Sequence, residues 1–511
     1  MKKTNIKLSS LCFFIMMFIL QCSKVNGHNH NSINSAKRLM TEYSQSNSPE
    51  QIHLSLGSQS HSIVVMWSTK LEEECFIEYG NGPENLKSVT ATMAQLTVDN
   101  EQASQYLHRA ELLDLKPGEQ YSYRIINKGS NVKSGIFKFR FPHNENKSHS
   151  FLVVADMGTL TKSLQFMVHE ALNGLYEVVF HVGDIAYNLN TEGGSIGDHF
   201  MRRVSKFTSS IPYMTTPGDH ERAHSFYHYR YRFSMPNAPW PMSEDSLWYS
   251  LNIGYTHFIS INTEYFYLQS AYKQLQIDWL KKDLTEANKL RDSVPWIIVM
   301  AHKPLYCTKS EMEQECQEEN SYLRDSLEDL FFEHGVDLII SGHKHCYERS
   351  WPMYMSRAFQ LNYINPLAPI YIVIGAMGYE YMADKQKSSP FWLAFAMSDT
   401  EKELFARLNV VNKTHLVWSV HASMTNEDVD DVQVIQTKHG SFGKPGAKAL
   451  EKMKPRTGGS RNLPPEPFHF VDATNIDYQY RPFILSATVF TISFVLFLFL
   501  RHSKVRKVLR L

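Results

Sequence analysis

The sequence lacks a charge excess, a dense set of cysteines and any evident internal repeat. Its 52 basic and 52 acidic residues leave a formal net charge of zero, which excludes a global field that would attract nucleic acid. Six cysteines in 511 residues exclude a scaffold built on disulfides. The chain is 43% hydrophobic and 20% charged, which excludes the intrinsically disordered class. What remains is a folded chain, long enough for about three domains.

Long hydrophobic runs are confined to the two ends of the chain. Near the N-terminus, three lysines within the first seven residues precede an apolar run over 11–20. This run is too short to span a bilayer, because a spanning helix needs about 20 apolar residues. A basic start followed by such a run predicts a secretory signal over 1–27, followed by a polar linker over 28–48.

The C-terminal hydrophobic run, 483–500, carries no charge over 18 residues, which predicts a transmembrane helix. The tail 501–511 has five basic residues and no acid, as the positive-inside rule expects of a cytoplasmic tail. A lipid-anchor signal is the alternative, but such a signal ends in its apolar segment. We therefore expect a single-pass type I membrane protein, with a stalk over 444–482 and a lumenal or extracellular body. Lysosome, endosome and cell surface all remain open as destinations.

Secretion would place the cysteines in an oxidising compartment. Cys307 and Cys316 are close in sequence and are expected to close a small loop. Cys75 and Cys346 either pair or stay free, and the sequence leaves both possibilities open. Two acceptor motifs for N-linked glycans agree with this location; they begin at Asn146 and Asn412.

The body of the chain divides into two parts by its pattern of apolar residues. The first part, 49–145, has short β-rich segments separated by Gly, Pro and Asn, which predicts an antiparallel β-sandwich without chemistry of its own. The second part, 146–443, alternates apolar strands with helical stretches, which predicts a layered α/β domain. The strands are expected at 63–67, 75–79, 121–125, 135–139, 151–154, 178–182, 212–215, 257–261, 295–299, 336–340, 369–374 and 405–411. The helices are expected at 162–172, 272–288 and 321–334.

Five short clusters of polar residues follow the ends of predicted strands in the second part. They are Asp156-Met-Gly158, Gly183-Asp184-Ile-Ala-Tyr187, Gly218-Asp219-His220-Glu221, Val299-Met-Ala-His302 and Gly342-His343-Lys-His345. Taken singly, each has an ordinary explanation, since an Asp after a strand is usually a turn former or a helix cap. Their shared position is the edge where open α/β sheets place ligands. Together they offer three Asp, three His and one Tyr, which is too many for one tetrahedral zinc but suits two metals that share a carboxylate.

The same five motifs, in this order, resemble the signature of the purple acid phosphatases among the calcineurin-like metallophosphoesterases, and the resemblance extends over 49–443. It implies an α+β/α/β architecture. A fibronectin-III-like β-sandwich over 49–145 would precede a metallophosphoesterase β-sandwich flanked by α-helices over 146–443. The expected activity is that of an iron/zinc acid phosphatase, in which a hydroxide bound to a dinuclear metal centre attacks small phosphomonoesters or anhydrides. The oligomeric state is left open.

The resemblance also implies a role for each side chain of the motifs. Asp156, Tyr187 and His345 would hold Fe³⁺, and Asp184 would bridge the two ions. The second ion, Fe²⁺, Zn²⁺ or Mn²⁺, would be held by Asp219, His302 and His343. His220 would donate a proton to the leaving oxygen or to a phosphoryl oxygen, with a purely orienting histidine as the alternative.

The sequence departs from the family pattern in two places. Asp219 stands where the family has Asn, and a carboxylate there adds negative charge beside the divalent ion and repels an anionic substrate. The site is expected to bind metal still, with lower turnover or altered metal choice. Thr308-Lys-Ser-Glu-Met312 replaces the histidines that plant relatives carry after the fourth motif, so substrate contacts in that loop stay unassigned.

Two other functions are consistent with parts of the sequence. His220-Glu221-Arg-Ala-His224 matches the zinc-peptidase pattern His-Glu-x-x-His, with Glu244 as a distant third ligand. That pattern requires both histidines in mid-helix, whereas Pro217 and Gly218 directly precede this segment. The other alternative is a weakly active or non-catalytic surface protein on the same fold, in which Asp219 would indicate that the catalytic site has decayed.

Overall fold

The computed structural model describes the two central parts of the chain, namely residues 47–82, 84–97, 103–143, 147–268, 270–308, 316, 321–378, 389–397 and 402–443. Several sequence predictions lie outside the described residues: the signal 1–27, most of the linker 28–48, the glycan acceptor Asn146, the stalk 444–482, the helix 483–500 and the tail 501–511. Within the described ranges, no helix is both long enough and apolar enough to cross a membrane.

Eight strands form the N-terminal sandwich from two antiparallel four-stranded sheets, ordered β1-β2-β6-β5 and β4-β3-β7-β8. The strands are β1 (Glu50–Leu56), β2 (Ile63–Thr69), β3 (Cys75–Gly80), β4 (Lys87–Thr90), β5 (Thr92–Thr97), β6 (Ala103–Leu112), β7 (Gln120–Asn127) and β8 (Phe137–Arg140). Alternating apolar side chains such as Trp67, Ile77 and Tyr123 meet in one buried core between the sheets. The predicted antiparallel sandwich is confirmed.

A second sandwich follows, built from a six-stranded sheet ordered β11-β10-β9-β21-β22-β23 and a seven-stranded sheet ordered β12-β13-β14-β15-β19-β16-β20. Their strands, with the short hairpin β17–β18, are β9 (His149–Val154), β10 (Val178–Val182), β11 (Tyr213–Thr216), β12 (Tyr249–Ile253), β13 (Thr256–Ile261), β14 (Trp296–Ala301), β15 (Leu338–Ser341), β16 (Tyr347–Ser350), β17 (Met353–Tyr354), β18 (Arg357–Ala358), β19 (Ile370–Ile374), β20 (Leu393–Met397), β21 (Leu404–Val410), β22 (His415–Ala422) and β23 (Glu427–Ile435). Strands β9, β10 and β11 run parallel, as do β13, β14, β15 and β19. Buried residues of both sheets share one core, so the sheets pack face to face.

Helices flank this second sandwich. They are α1 (Leu164–Ala171), α2 (Ser195–Thr208), α3 (Ala223–Arg232), α4 (Tyr272–Lys289), α5 (Ser321–Leu323) and α6 (Asp329–Glu333), with a π-helical turn, Arg324–Glu328, joining the last two. Every strand and helix predicted between 151 and 411 is present within two residues of its expected ends. Helix α2 was missed by the sequence analysis, although it buries Phe200, Met201, Val204 and Phe207 along one face.

A buried polar network joins the two sandwiches. Arg232, which is 1% exposed, lies 2.8 Å from Asp198 and donates to Gln51 of β1 at 3.1 Å. Gln105 of β6 donates to the same Asp198 carboxylate at 2.6 Å and accepts from Gln51 at 2.9 Å. Because every member has a partner, the guanidinium is tolerated in the interior and fixes the N-terminal sandwich against α2 and α3.

The cysteine predictions have definite outcomes in the described residues, and one of the two predicted glycan acceptors, Asn412, lies among these residues. The expected disulfide between Cys307 and Cys316 is present. Cys75 is a buried thiol that donates to Asn127, and burial raises the pKa of its thiol to about 12. A disulfide between Cys75 and Cys346 is therefore not formed. Asn412 is exposed in the turn between β21 and β22, where an acceptor must lie.

Buried histidines make the stability of the N-terminal sandwich sensitive to acid. Burial lowers the pKa of both His53 and His108 to about 4. In the unfolded chain these groups bind protons below a pKa of about 6.5, so folding becomes less favourable as the pH falls from 6.5 toward 4. Between pH 7 and pH 5 each group is expected to cost about 2 kcal/mol of unfolding free energy. Urea unfolding at the two pH values measures the loss.

The variant His108→Gln provides the control for this prediction, because it removes one titrating group. Its unfolding free energy should change between pH 7 and pH 5 by about 2 kcal/mol less than that of the wild type. If the unfolding free energies of the variant and the wild type change equally between pH 7 and pH 5, His108 is not held neutral in the fold.

Candidate metal centre

The seven predicted ligands gather at one edge of the second sandwich, because each follows the carboxyl end of a strand. Asp156 follows β9, Asp184 and Tyr187 follow β10, and Asp219 follows β11. These three neighbouring strands belong to one sheet. The facing sheet supplies the histidines, with His302 after β14 and both His343 and His345 after β15. The parallel strands of both sheets thus end at a common cleft.

Three of these side chains form one cluster. The hydroxyl of Tyr187 donates to Oδ1 of Asp156 at 2.8 Å and lies 3.0 Å from Nε2 of His345. His345 Nε2 is 3.5 Å from the same carboxylate oxygen. The cluster thus presents a phenol, a carboxylate and an imidazole to one point, a donor set that suits a trivalent iron.

The other four side chains form a second cluster. One ligand atom from each of Asp184, Asp219, His302 and His343 lies within 4.8 Å of the others. His302 Nε2 is 3.1 Å from Asp184 and 3.3 Å from Asp219, and His343 Nδ1 is 3.0 Å from Asp219. Two imidazoles and two carboxylates at this spacing suit a divalent ion.

One hydrogen bond behind His302 orients its ring toward the cluster. Its Nδ1 donates to the carbonyl oxygen of Val182 at 2.9 Å, which directs Nε2 toward the two carboxylates. Such an outer bond fixes the tautomer and the ring plane of a ligating histidine. Burial lowers the pKa of His302, but the Asp184 and Asp219 carboxylates outweigh it and raise the pKa well above its usual range. The carboxylates therefore favour a positive charge at this point.

Burial and the neighbouring charged groups also shift the pKa values of the carboxylate and phenol groups of the site. Burial raises the pKa of Asp219, but hydrogen bonds from His302 and His343 outweigh it and lower the pKa below its usual range. Burial, together with Asp156 and Asp184, raises the pKa of Tyr187 well above its usual value. A phenolate here therefore needs a cation close to its oxygen. Since the donor atoms converge and their charge is negative, these residues fit a pair of metal ions.

The local backbone is shaped to bring these groups together. Asp156, Asp184, Tyr187 and His343 all have positive φ, between 51° and 66°, which costs a non-glycine residue about 1–3 kcal/mol. Gly218 packs so closely against Asp184 that a Cβ there would overlap its carboxylate. Strained residues of this kind persist where the surrounding structure holds them for function.

His220 lies at the rim of the cleft, with its side chain 34% exposed. Its Nε2 is 3.8 Å from Asp184, and its ring packs 4.2 Å from that of Tyr187. Its Nδ1 bonds to the side-chain oxygen of Asn188, a residue that the sequence analysis missed. With Nδ1–H donating to Asn188, Nε2 is the nitrogen that faces the cleft.

We expect Asn188→Ala to lower kcat by about tenfold while leaving the metal content unchanged, because His220 loses the contact that sets its orientation. Steady-state kinetics and metal analysis on the purified variant measure both quantities. Adding His220→Ala should then lower kcat less than it does in the wild type, since the two residues act as a unit. Asn190→Ala, in the same loop, is the matched control. Fully additive effects would contradict the pairing.

The zinc-peptidase alternative is wrong for this chain. Asp219–Glu221 forms a single 3₁₀ turn, and His224 and the two residues after it have positive φ, so the two histidines do not share a regular helix. Glu221, the required base, is 3% exposed and accepts three backbone N–H bonds, from Asp184, Ile185 and Gly218, each at 2.9 Å. Its carboxylate supports the β10 and β11 loops and is not available to a substrate.

Comparison with known proteins identifies relatives of most of the described chain. Family models match at 149–347 (calcineurin-like phosphoesterase), 49–141 (purple acid phosphatase, N-terminal domain) and 368–432 (iron/zinc purple acid phosphatase-like protein C). The zebrafish (Danio rerio) protein named acid phosphatase type 7 is 36% identical over 77% of this chain and 92% of its own length. The Homo sapiens protein of that name is 34% identical over the same shares.

A solved structure agrees with the fold. The purple acid phosphatase from yellow lupin (Lupinus luteus) seeds superposes with a TM-score of 0.67 at 21% identity, covering 76% of this chain and 75% of its own. At that identity the likeness concerns the fold, with its N-terminal sandwich and second two-sheet sandwich.

Proposed function

This chain belongs to the purple acid phosphatase family, and from that membership we propose that it is a metal-dependent acid phosphatase that hydrolyses small phosphomonoesters or phosphoanhydrides. The observation that carries the proposal is the convergence of Asp184, Asp219, His302 and His343 within 4.8 Å, next to the cluster of Asp156, Tyr187 and His345. Scattered side chains on the same fold would not support it.

Each group has a distinct part in this proposal. The cluster with Tyr187 would hold Fe³⁺, the cluster with His302 would hold Fe²⁺, Zn²⁺ or Mn²⁺, and Asp184 would contact both. Bound ions would supply Lewis-acid activation of water and of the phosphoryl group. His220, with Nε2 toward the cleft and Nδ1 held by Asn188, would donate a proton to the departing oxygen.

We also propose that the protein is a type I membrane protein whose catalytic body faces the lumen or the cell exterior. The apolar runs at 11–20 and 483–500 support it, as does the basic tail after the second run. The disulfide at Cys307 is typical of an oxidising compartment, and the exposed turn at Asn412 would accept a glycan, as would Asn146. Protection of the body from protease in intact vesicles, with sensitivity to a glycosidase, tests this topology.

The phosphatase proposal is tested on the purified ectodomain with a phosphomonoester at pH 5. We expect phosphate release that chelation removes and that iron plus zinc or manganese restores. A protein that binds metal and releases no phosphate under any metal combination would instead be the non-catalytic surface protein.

Asp219→Asn is expected to leave turnover equal or to raise it by up to about tenfold, which corresponds to roughly 1.4 kcal/mol in activation free energy. The amide keeps an oxygen toward His302 and His343 while removing the negative charge that repels phosphate. Measurement of kcat and of bound metal on both proteins checks the prediction. A large loss of turnover would show that the carboxylate belongs to this enzyme's own chemistry.

A further inference from the structure

A lysine lies directly beside the second cluster, and none of the ligand motifs explains it. Lys303 follows His302, so its Cα is about 3.8 Å from that of the histidine. Its backbone N–H donates to the hydroxyl of Thr263 at 3.1 Å, which ties the end of β14 to the loop after β13. The lysine side chain is 11% exposed, although Lys is almost never buried without a partner.

Two groups of the loop after β13 hold the ammonium of Lys303. Its Nζ lies 4.0 Å from Oε2 of Glu264, a side chain with no exposed surface, and 4.7 Å from the centre of the Tyr267 ring. A cation over an aromatic ring is attracted by the ring quadrupole, and the contact strengthens when water is excluded. Glu264 belongs to the 3₁₀ turn Thr263–Phe266. Asn262 caps this turn and so fixes the position of Glu264.

The loop is electrostatically part of the metal centre. Burial raises the pKa of Glu264, and the charge of Asp219 raises it further. Lys303, His302 and His343 lower the same pKa. By the resemblance of the sequence motifs, Asp219 adds one carboxylate to the ligand set of this chain. A fixed cation beside His302 is the group that offsets such an added charge.

Building on the proposed phosphatase function, we propose that Lys303 is a positioning residue whose ammonium offsets the Asp219 carboxylate and attracts the anionic phosphate to the second cluster. The chain would thereby keep its affinity for anionic esters despite the additional acid among its ligands.

The test compares Lys303→Gln, Lys303→Arg and the matched control Lys273→Gln, whose ammonium lies 5.3 Å from the centre of the Phe266 ring in the same region. In the metal-loaded full-length protein, Lys303→Gln should raise KM for a phosphomonoester by about tenfold while kcat changes less than about threefold. Calorimetric titration with inorganic phosphate should show affinity weaker by a similar factor. Lys303→Arg should restore most of both quantities, and Lys273→Gln should match the wild type.

Two further measurements separate this role from a structural one. Mn²⁺ titrated into metal-free protein should bind Lys303→Gln more tightly than wild type, because a like charge has been removed, whereas a misfolded site would bind it more weakly. In an Asp219→Asn background, Lys303→Gln should raise KM by no more than about threefold, because the charge that it offsets is gone.

The outcomes also distinguish this proposal from the phosphatase proposal. An active wild type with unchanged KM, phosphate affinity and Mn²⁺ affinity in Lys303→Gln would overturn the role of Lys303 and leave the phosphatase intact. An inactive wild type would overturn the phosphatase. In that case, weaker phosphate binding and tighter Mn²⁺ binding in Lys303→Gln would still support the charge role, and unchanged binding would refute it.

Discussion

Replacing Asp184 with alanine is expected to abolish metal binding and to lower phosphatase turnover by roughly 10³-fold or more. Asp184 is 2% exposed, and its Oδ1 is within 3.1 Å of His302 Nε2 and accepts from the backbone N–H of His220 at 3.0 Å. It is a member of the second cluster and also the acceptor that holds the backbone of His220. Removing it therefore opens the centre of the site and frees the loop that carries His220.

Metal analysis of the purified variant, with kcat measured beside it, tests this expectation. Asp184→Asn is the conservative form, since its amide oxygen can still accept from His220 and preserve the loop. It should fold like the wild type and still lose metal. Asp283→Asn, which removes a carboxylate paired with His257 outside the site, is the control and should keep both metal and turnover. An alanine variant that retains two ions and activity would refute the bridging role.

The sequence predicted the framework of this site because the framework depends on local pattern. Buried parallel strands appear as short apolar runs, and β10 and β14 are buried along their whole length. The motif residues follow these runs directly, so their position at one edge of the sheets could be inferred from strand polarity alone. Helix α2 was missed because two glycines precede it and its apolar residues are separated by charged ones.

The supporting residues could not be predicted in the same way, because their roles depend on contacts between distant segments. Asn188 is an ordinary loop residue until the fold brings it to His220. Lys303 is one lysine among many until Glu264 and Tyr267 surround it. Glu221 was part of the third motif but received a role only in the peptidase alternative, whereas its contacts are made with the backbone of another loop.

Glu221→Gln is expected to reduce kcat by about 10- to 100-fold with little change in KM, although Glu221 touches neither substrate nor the ligand side chains. Its two oxygens accept from three backbone N–H groups, and two of these belong to Asp184 and to Ile185. The third belongs to Gly218, the residue before Asp219. One side chain thus sets the distance between the loop that carries Asp184 and Tyr187 and the loop that carries Asp219.

A glutamine has the shape of the glutamate but only one acceptor oxygen, so its amide nitrogen would face at least one backbone N–H. Leaving that buried donor unsatisfied costs about 1–3 kcal/mol and pushes the β10 and β11 loops apart. Glu328→Gln is the control, because Glu328 is also buried and accepts from Tyr306 and from the backbone of Met355 outside the site. Glu221→Gln should lose unfolding free energy and turnover and retain metal less well under chelation, whereas Glu328→Gln, whose two donors share one oxygen, should keep its turnover and its metal. Equal kinetics in the two variants would mean that Glu221 supports the fold alone and that the spacing of the ligand loops is set elsewhere.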